Sequence, residues 1–341
     1  MFTYAVDVMG GDLGPRVAFK ACRKFLRFRR DVRLTIAVTA DFAREAESWF
    51  PSRRSRVRIL VCESFIEMDD KPAQMLRKGM SSTMAAVLRE FQEGRAQGVL
   101  SIGNTGALMV LSRQLLGMYP GMDRPALATM LPTRNKPLLM LDLGANLAVD
   151  STQLVQFACI GAAWSKVLNT VSPKVGLLNV GRESGKGTDC VKEADQLLRA
   201  IMPDYYTGFY EGNDLYQGEL DVLVTDGFAG NITLKASEGL SNWLLELLQQ
   251  EFRQHWLMKW FVWLWLPAVR RIERRVSPAR HGGAMLLGVN GVVVKTHGNS
   301  DARAFRYALK YLHEKASRFD GAALVNTLEQ FRNNIPADAD V

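Results

Sequence analysis

Apolar runs, glycine-containing turns and helix-like stretches follow one another in a repeating order along this chain. The clearest example covers residues 221–235, with an apolar strand at 222–225, a break at 226–230 and helical periodicity from Asn231. Glycines in such a turn let the backbone approach a ligand closely, and the first amides of the following helix favour an anion. One turn of this kind is weak evidence, so the prediction depends on its repetition.

The same order of strand, turn and helix recurs at least six times. The predicted strands are 2–8, 33–39, 57–62, 98–102, 138–143, 174–179, 222–225, 285–287 and 292–295. Helices are predicted over 17–28, 83–91, 151–168 and 301–315, and two others end at Leu116 and Ile201. This pattern is typical of a parallel α/β sheet, in which right-handed crossovers place the turns at one carboxyl edge. The turn glycines expected to converge there are Gly10, Gly103, Gly144, Gly181, Gly227 and Gly298.

The side chains of these turns are mostly cations and hydrogen-bond donors, which suit a phosphate and a developing oxyanion. They are Asn104, Thr105, Asn146, Lys186, Thr188, Asn231, Lys295 and His297. Asn and Thr before a helix are also common caps, so that alternative stays open for them. His297 is open between a structural role and general acid–base chemistry. Lys186 stands between two glycines, so a packing role is harder to assign to its side chain than a functional one.

Composition narrows the function classes. The chain has 341 residues, 48% of them hydrophobic, which suits one large or two modest domains. The four cysteines and four histidines lack metal-ligand spacing, so no metal site and no cofactor are expected. No signal peptide is expected, because Asp7 and Asp12 interrupt the N-terminus. The net charge of +8 favours an anionic partner, but no nucleic-acid module is visible.

Two nucleotide-binding motifs fail on their spacing. Residues 181–188 have three residues rather than four between Gly181 and Gly185, and Gly187 stands where a P-loop holds Ser or Thr. Residues 10–14 do not match the dinucleotide fingerprint. A Gly-x-Ser-x-Gly nucleophile elbow is also absent.

Residues 240–280 break the α/β order and are treated as a helical insertion that faces a membrane or a partner. Residues 256–266 are almost wholly apolar, and as a helix they would span roughly 16 Å, too short to cross a bilayer. Tryptophan followed by arginine is typical of an interfacial element on anionic lipid, although a buried core or dimer helix is the alternative. The predicted membrane or carrier-protein contacts are Trp256, Trp260, Trp263, Trp265, Arg270, Arg271, Arg274 and Arg275.

At these residues the chain resembles the bacterial phosphate acyltransferases (PlsX) of phospholipid synthesis. The matching stretches are 5–15, 68–72, 101–108, 141–146, 226–231 with Lys235, and 295–298, in the family's order. The resemblance implies a Rossmann-like, three-layer α/β/α fold with a mainly parallel sheet, similar to isopropylmalate dehydrogenases and phosphotransacetylases. We expect one domain over residues 1–320, including the insertion, and a tail over 321–341.

The resemblance also implies a reaction, in which inorganic phosphate attacks the thioester of a long-chain acyl group on acyl carrier protein, an acidic partner. The acyl phosphate formed would serve a glycerol-3-phosphate acyltransferase. A homodimer in the cytoplasm, associated peripherally with the membrane, is implied as well. The expected catalytic residues are Lys186, Asn231 and His297. The expected phosphate or substrate contacts are Asp7, Gly10, Gly11, Asn104, Thr105, Gly106, Asn146, Asp226, Gly227, Gly230 and Lys295.

The chain departs from the family at one loop. The family usually shows Gly-Glu-Glu-Glu-x-Lys-Gly where this chain has Arg182 and Ser184 in acidic positions, while Lys186 is kept. Two rival functions are a phosphotransacetylase that uses coenzyme A and a non-catalytic carrier-protein scaffold at the membrane. Formation of acyl phosphate from long-chain acyl carrier protein distinguishes the favoured reaction from both.

Overall fold

The computed structural model describes residues 1–70, 79–168, 170–254 and 283–335, and its centre is an eleven-stranded sheet. The strands are β1 (Phe2–Asp7), β2 (Val32–Thr39), β3 (Val57–Cys62), β4 (Val99–Ser101), β5 (Ala126–Leu131), β6 (Leu138–Leu141), β7 (Val175–Leu178), β8 (Tyr206–Tyr210), β9 (Val222–Val224), β10 (Gly283–Leu287) and β11 (Val293–Thr296). Their order in the sheet is β3-β2-β1-β4-β11-β10-β5-β6-β9-β7-β8.

The sheet consists of two parallel groups that run in opposite directions. Strands β1 to β4 and β11 are parallel to one another, and so are β6, β9, β7 and β8. The steps from β11 to β10, from β10 to β5 and from β5 to β6 are all antiparallel. Three reversals put the carboxyl ends of the two groups at opposite edges. The sheet is mainly parallel as predicted, but the prediction that all six glycine turns share one edge is wrong.

Helices cover both faces of this sheet, as in a three-layer α/β/α fold. They are α1 (Pro15–Phe28), α2 (Ala40–Trp49), α3 (Thr83–Gln92), α4 (Thr105–Leu116), α5 (Ser151–Val167), α6 (Asp189–Ile201), α7 (Gly227–Gln254), α8 (Ala302–Ala316) and α9 (Gly321–Asn333). One large core lies under α1, α5, α6, α8 and α9. The other face has two smaller cores, one under α3 and α4 and one under the loop after β8 and the start of α7.

Alternation along the strands assigns each side chain to one of these cores. In β9, Val222 and Val224 enter the large core, whereas Leu223 between them enters a small one. In β1, Tyr4 and Val6 likewise lie opposite Ala5. Successive side chains of a strand point to opposite faces, so apolar runs buried on both faces identify central strands.

Two features differ from the sequence-based expectation. Helix α7 begins at Gly227 rather than Asn231, because the carboxylate of Asp226 accepts a hydrogen bond from the amide of Ala229 at 2.7 Å and caps it. The segment expected to be a tail contains α9, which buries Leu324, Leu328 and Phe331. The apolar spacing of i, i+4 and i+7 in α9 is helical, and its burial adds this helix to the packed domain.

Part of the sequence-based prediction lies outside the described residues. This applies to Lys71 and Pro72 of one matching stretch and to every membrane or carrier-protein contact predicted between Trp256 and Arg275. Within the described ranges, no helix is both long and apolar enough to cross a bilayer.

Candidate active site

A cavity of about 640 Å³ lies on the face of the sheet that carries the two smaller cores. Its floor is β5, whose Leu127, Thr129 and Leu131 lie two residues apart and therefore on one face. One side of α7 forms a wall through Asn231, Leu234, Lys235, Glu238 and Ser241. The cavity thus spans the antiparallel middle of the sheet and contacts both parallel groups.

The end of β11 places a buried cation at this cavity. Lys295 is 6% exposed and lies in register with Ser101 of β4, which in turn lies in register with Asp7 of β1. The hydroxyl of Ser101 donates to Asp7 Oδ2 at 2.8 Å, and Lys295 Nζ donates to the carbonyl oxygen of Ile102 at 3.4 Å. Three adjacent strands therefore align a lysine, a serine and an aspartate in one row.

Burial shifts both charged groups of this row toward neutrality. It raises the pKa of Asp7 to about 6, although the hydrogen bond from Ser101 and the charge of Lys295 oppose the shift. Burial lowers the pKa of Lys295 to about 8, and the carboxylates of Asp7 and Asp12 oppose that shift. Near neutral pH Lys295 is mostly a cation, and it lines the cavity. An anion bound there would contact a poorly hydrated ammonium group.

Glu238 of α7 connects two further cavity residues. Its Oε2 lies 2.9 Å from Lys235 Nζ, and its Oε1 lies 3.7 Å from His297 Nε2. Burial raises the pKa of Glu238, but the contacts with His297 and Lys235 outweigh it, so that pKa lies below its ordinary value. The carboxylate therefore holds a lysine from one turn of the helix beside a histidine from the end of β11.

Asn231 reaches the cavity because α7 begins very close to the loop after β6. A Cβ atom added to Gly230 would lie 1.8 Å from the carbonyl oxygen of Asp142, and one added to Gly227 would lie 2.5 Å from that of Asn146. In the loop after β6, a Cβ atom added to Gly144 would lie 3.4 Å from the Cβ of Asn231 in α7. Gly227 and Gly230 therefore serve helix–loop packing.

The loop after β6 is held by the buried carboxylate of Asp142. Its oxygens accept hydrogen bonds from the amides of Leu127, Ala145 and Asn146 at 2.9, 3.0 and 2.6 Å. Burial raises the pKa of Asp142, although these bonds oppose the shift. The side chain of Asn146 donates to Asp142 at 2.9 Å and to the carbonyl of Pro125 at 2.8 Å. Asn146 is therefore engaged in positioning this loop.

The structure brings four of the predicted site residues to the cavity, namely Thr105, Asn231, Lys295 and His297. Asn104 caps α4 through the amide of Ala107 and donates to the carbonyl of Met68, so its side chain is used locally. Thr188 caps α6 in the same way. Asp226 caps α7. Asn104 and Thr188 thus follow the alternative left open for Asn and Thr before helices.

The remaining predicted residues do not line the cavity. Gly10, with a φ of +82°, and Gly11 allow close approach, since added Cβ atoms would lie 2.8 and 2.7 Å from Ile66 and Ile102. Gly106 lies in the first turn of α4. Lys186 is exposed in the loop after β7. That loop follows the group of β6, β9 and β7, so it shares a sheet edge with the start of α7 and not with the end of β11.

Sequence reasoning missed Glu238, Asp142, Ser101 and Arg134. Glu238 and Arg134 lie outside the glycine turns, on α7 and in the loop after β5, and both line the cavity. Asp142 lies inside the matched stretch 141–146, and an acid within a predicted apolar strand was the signal available. Among the described residues, no cluster of His, Cys, Asp or Glu could hold a metal ion.

A family model described as "Fatty acid synthesis protein" matches residues 2–318. A phosphate acyltransferase from Shewanella halifaxensis is 42% identical over 321 residues, which are 93% of each chain. One from Pseudomonas aeruginosa is 42% identical over 90% of this chain and 91% of its own. The chain belongs to the phosphate acyltransferase family. The shared name of these relatives supports an acyltransferase, and the family model supports a place in lipid biosynthesis.

Solved structures place the family fold among known α/β enzymes. A phosphotransacetylase from Staphylococcus aureus matches with a TM-score of 0.60 and 14% identity, over 93% of this chain and 94% of its own. A 4-hydroxythreonine-4-phosphate dehydrogenase from Salmonella typhimurium matches with a TM-score of 0.54 and 12% identity, over 92% of this chain and 100% of its own. These similarities confirm the predicted phosphotransacetylase-like and dehydrogenase-like fold of this phosphate acyltransferase family member.

Proposed function

We propose that this chain transfers a long-chain acyl group from the thioester of acyl carrier protein to inorganic phosphate, for phospholipid synthesis. The observation that carries the proposal is the mixed chemistry of the cavity. Leucines of β5, of α7 and of the loop after β6 form an apolar wall, while Lys235, Lys295 and Arg134 supply three cations. An acyl phosphate has an apolar chain and an anionic head, and this cavity matches both parts.

The cationic end suits phosphate as the nucleophile. A phosphate oxygen would attack the thioester carbonyl, the C–S bond would break, and a thiolate would leave. Lys295 and Lys235 would hold the phosphate, and the amide of Asn231 would donate to the oxyanion of the tetrahedral intermediate. His297 is half-exposed at the cavity, where it would orient phosphate or protonate the leaving thiolate. No enzyme nucleophile is needed, because phosphate itself attacks.

The apolar end suits a long acyl chain. Leu127 and Leu131 lie on the floor, Leu143 and Leu147 belong to the loop after β6, and Leu234 faces them from α7. Burying each methylene of a chain against such a wall contributes about 0.8 kcal/mol. The leucines would therefore select the length of the acyl chain, and the cations would bind phosphate in the same cavity.

Lys186 stays a proposed catalytic residue that acts from outside the cavity lining. In the described part of the chain its ammonium group forms no ion pair, and Gly185 and Gly187 flank it. We propose that Lys186 approaches the transferred phosphate during turnover. Lys186→Ala should lower kcat at least about tenfold, as expected for a lost oxyanion contact. Lys192→Ala, at a partly exposed lysine of α6 that pairs with Asp189, is the control, and equal rates for the two variants would remove Lys186 from the mechanism.

Homodimer formation and membrane association also remain proposals. Their support in the described residues is the exposed apolar side of α7, which carries Ile232, Leu240, Trp243, Leu244 and Leu247. Exposed apolar patches of this kind mark interaction sites. Replacing Trp263 and Trp265 by Glu should abolish co-sedimentation with anionic liposomes without lowering the melting temperature. Unchanged sedimentation would contradict membrane docking through this segment.

Trapping with hydroxylamine tests the proposed reaction. The chain is incubated with palmitoyl carrier protein and phosphate, and acyl phosphate is captured as the hydroxamate. We expect hydroxamate only when phosphate is present, and far less from acetyl-CoA. Acetyl phosphate formed from acetyl-CoA instead would favour a phosphotransacetylase. Carrier binding without any phosphate-dependent loss of thioester would favour a scaffold.

A further inference from the structure

Helix α1 presents a row of cations to solvent, and we call this row the basic face. Its members are all exposed, and they are Arg16, Lys20, Arg23, Lys24 and Arg27. At 3.6 residues per turn they fall within roughly 100° of one another around the helix axis and extend roughly 16 Å along it. The helix contains no acid, and residues 16–33 carry eight Lys or Arg beside the single acid Asp31.

The basic face does not stabilise the helix that carries it. Lys20 lies four residues from both Arg16 and Lys24, and like charges at this spacing destabilise a helix. The first turn holds Arg16 and no acid, although the positive end of the helix dipole lies there. Within the described residues only one of the five cations forms an ion pair, Arg16 with Glu45 at 2.7 Å. An anionic partner would offset this repulsion.

The basic face begins beside the candidate active site. The loop before α1 contacts the turn of His297, because the amide of Asp12 donates to the carbonyl of Gly298 at 2.9 Å. His297 is half-exposed at that edge and lines the cavity. Because α1 connects the parallel strands β1 and β2, it runs from this edge of the sheet back toward the other. A protein seated on the basic face would therefore lie next to His297.

Helix α8 extends the charged surface. It packs beside α1 over the large core and begins after the turn of His297. It exposes Arg303 and Lys310, and residues 302–313 contain no acid. Most apolar side chains of the two helices are buried in the core, while Phe28 at the end of α1 is exposed. The surface therefore offers mainly charge, with little apolar area to insert into lipid.

The basic face and the exposed apolar side of α7 belong to different faces of the sheet. Helices α1 and α8 cover the large core, whereas α7 starts over one of the smaller cores. A membrane in contact with the exposed side of α7 would leave the basic face accessible from solution. These positions favour a soluble acidic protein over an anionic lipid surface as the partner of the basic face.

We propose that the basic face is the docking surface for acyl carrier protein, an inference that rests on the proposed function. Acidic side chains of the carrier pair with Lys20, Arg23 and Lys24, and the thioester reaches the cavity past His297. Opposite charges on the two proteins accelerate their encounter and orient the carrier on α1.

Two double charge reversals provide a matched comparison. Lys20→Glu/Lys24→Glu reverses the centre of the basic face and places an acid four residues from Arg16, which favours the helix. Arg113→Glu/Lys174→Glu reverses two exposed cations elsewhere, in α4 and before β7. Each variant lowers the net charge of +8 by four. Palmitoyl-pantetheine serves as a second substrate, because it carries the thioester without a protein surface.

Fluorescence anisotropy measures binding of the carrier protein in the absence of phosphate. We expect Lys20→Glu/Lys24→Glu to weaken binding about tenfold or more, and Arg113→Glu/Lys174→Glu to match wild type. Initial rates give kcat/KM for palmitoyl carrier protein relative to palmitoyl-pantetheine, and this ratio should fall about tenfold in the first variant only.

Three results would overturn the docking surface. They are no carrier binding by wild type, equal binding by the two variants, and a loss of binding to anionic liposomes in Lys20→Glu/Lys24→Glu with carrier binding kept. The last result would assign the basic face to lipid. Because binding is measured without turnover, selective loss of carrier binding in this variant would support the surface even if no acyl phosphate forms.

Discussion

His297 at the end of β11 and Glu238 on α7 approach each other across the cavity, with 3.7 Å between Nε2 and Oε1. The two residues come from different parallel groups of the sheet, because His297 follows β11 of one group and α7 follows β9 of the other. Their contact therefore joins elements that follow the two parallel groups of strands, at the edge of the cavity. Glu238 also holds Lys235, so one carboxylate positions two groups of the cavity.

Glu238→Gln should lower kcat/KM about fivefold to tenfold, because Lys235 and His297 lose the charge that orients them. The melting temperature should change little, since partly exposed ion pairs contribute about 0–1 kcal/mol. Steady-state rates of phosphate-dependent thioester loss measure the effect. Glu246→Gln, at an exposed position of the same helix, is the control and should match wild type. Equal rates for both variants would contradict the positioning role of Glu238.

Activity should depend on the charge of Lys295. The pKa of Lys295 is lowered to about 8 by burial, so the cation that favours phosphate is lost as the pH rises through that value. We expect kcat/KM for phosphate to fall above about pH 8 in wild type. Lys295→Arg should lower the maximum rate but remove this decline, because a guanidinium stays charged. A wild-type profile that stays flat up to pH 9.5 would contradict a phosphate-binding role for Lys295.

The start of α7 should tolerate no side chain at Gly230. A Cβ there would overlap the backbone carbonyl of Asp142, so Gly230→Ala should destabilise the fold by about 3 kcal/mol and displace Asn231. Gly239 lies on the same helix with no atom within 4 Å of an added Cβ. Gly239→Ala should stabilise by about 1 kcal/mol, because alanine has the higher helix propensity. Thermal unfolding measures both, and a neutral Gly230→Ala would show that this close approach is absent.

The sequence predicted most of the α/β elements, because strand runs such as 57–62 and caps such as Ser82 and Asp150 are local signals, but it missed β8. It did not predict the relative direction of the two parallel groups. That direction depends on β5 and β10, whose antiparallel pairing joins residues more than 150 positions apart. No periodicity in a single sequence encodes such a partner.

The candidate site was only partly predicted, because some of its residues are brought together by packing that the sequence does not show. Asn231, Lys295 and His297 stand next to glycine turns, where sequence reasoning looks for ligands, and they meet in one cavity. Glu238 stands about three turns inside α7, so only the fold, which places α7 across the cavity from β5, brings it to the site. Asn104 and Asn146 show the converse, because they lie in glycine turns but use their side chains in hydrogen bonds that hold loops in place.

The central claim is that acyl chain and phosphate share one cavity, and one substitution tests it most directly. Leu234→Trp enlarges a side chain of the apolar wall and leaves all three cations of the cavity in the sequence. The measurement is kcat/KM for palmitoyl and butyryl carrier protein at saturating phosphate, with thermal unfolding as the check on folding. We predict a loss of about tenfold or more for palmitoyl, from several displaced methylenes, with butyryl turnover and the KM for phosphate unchanged. An equal loss for both chains, or none for either, would contradict the shared cavity.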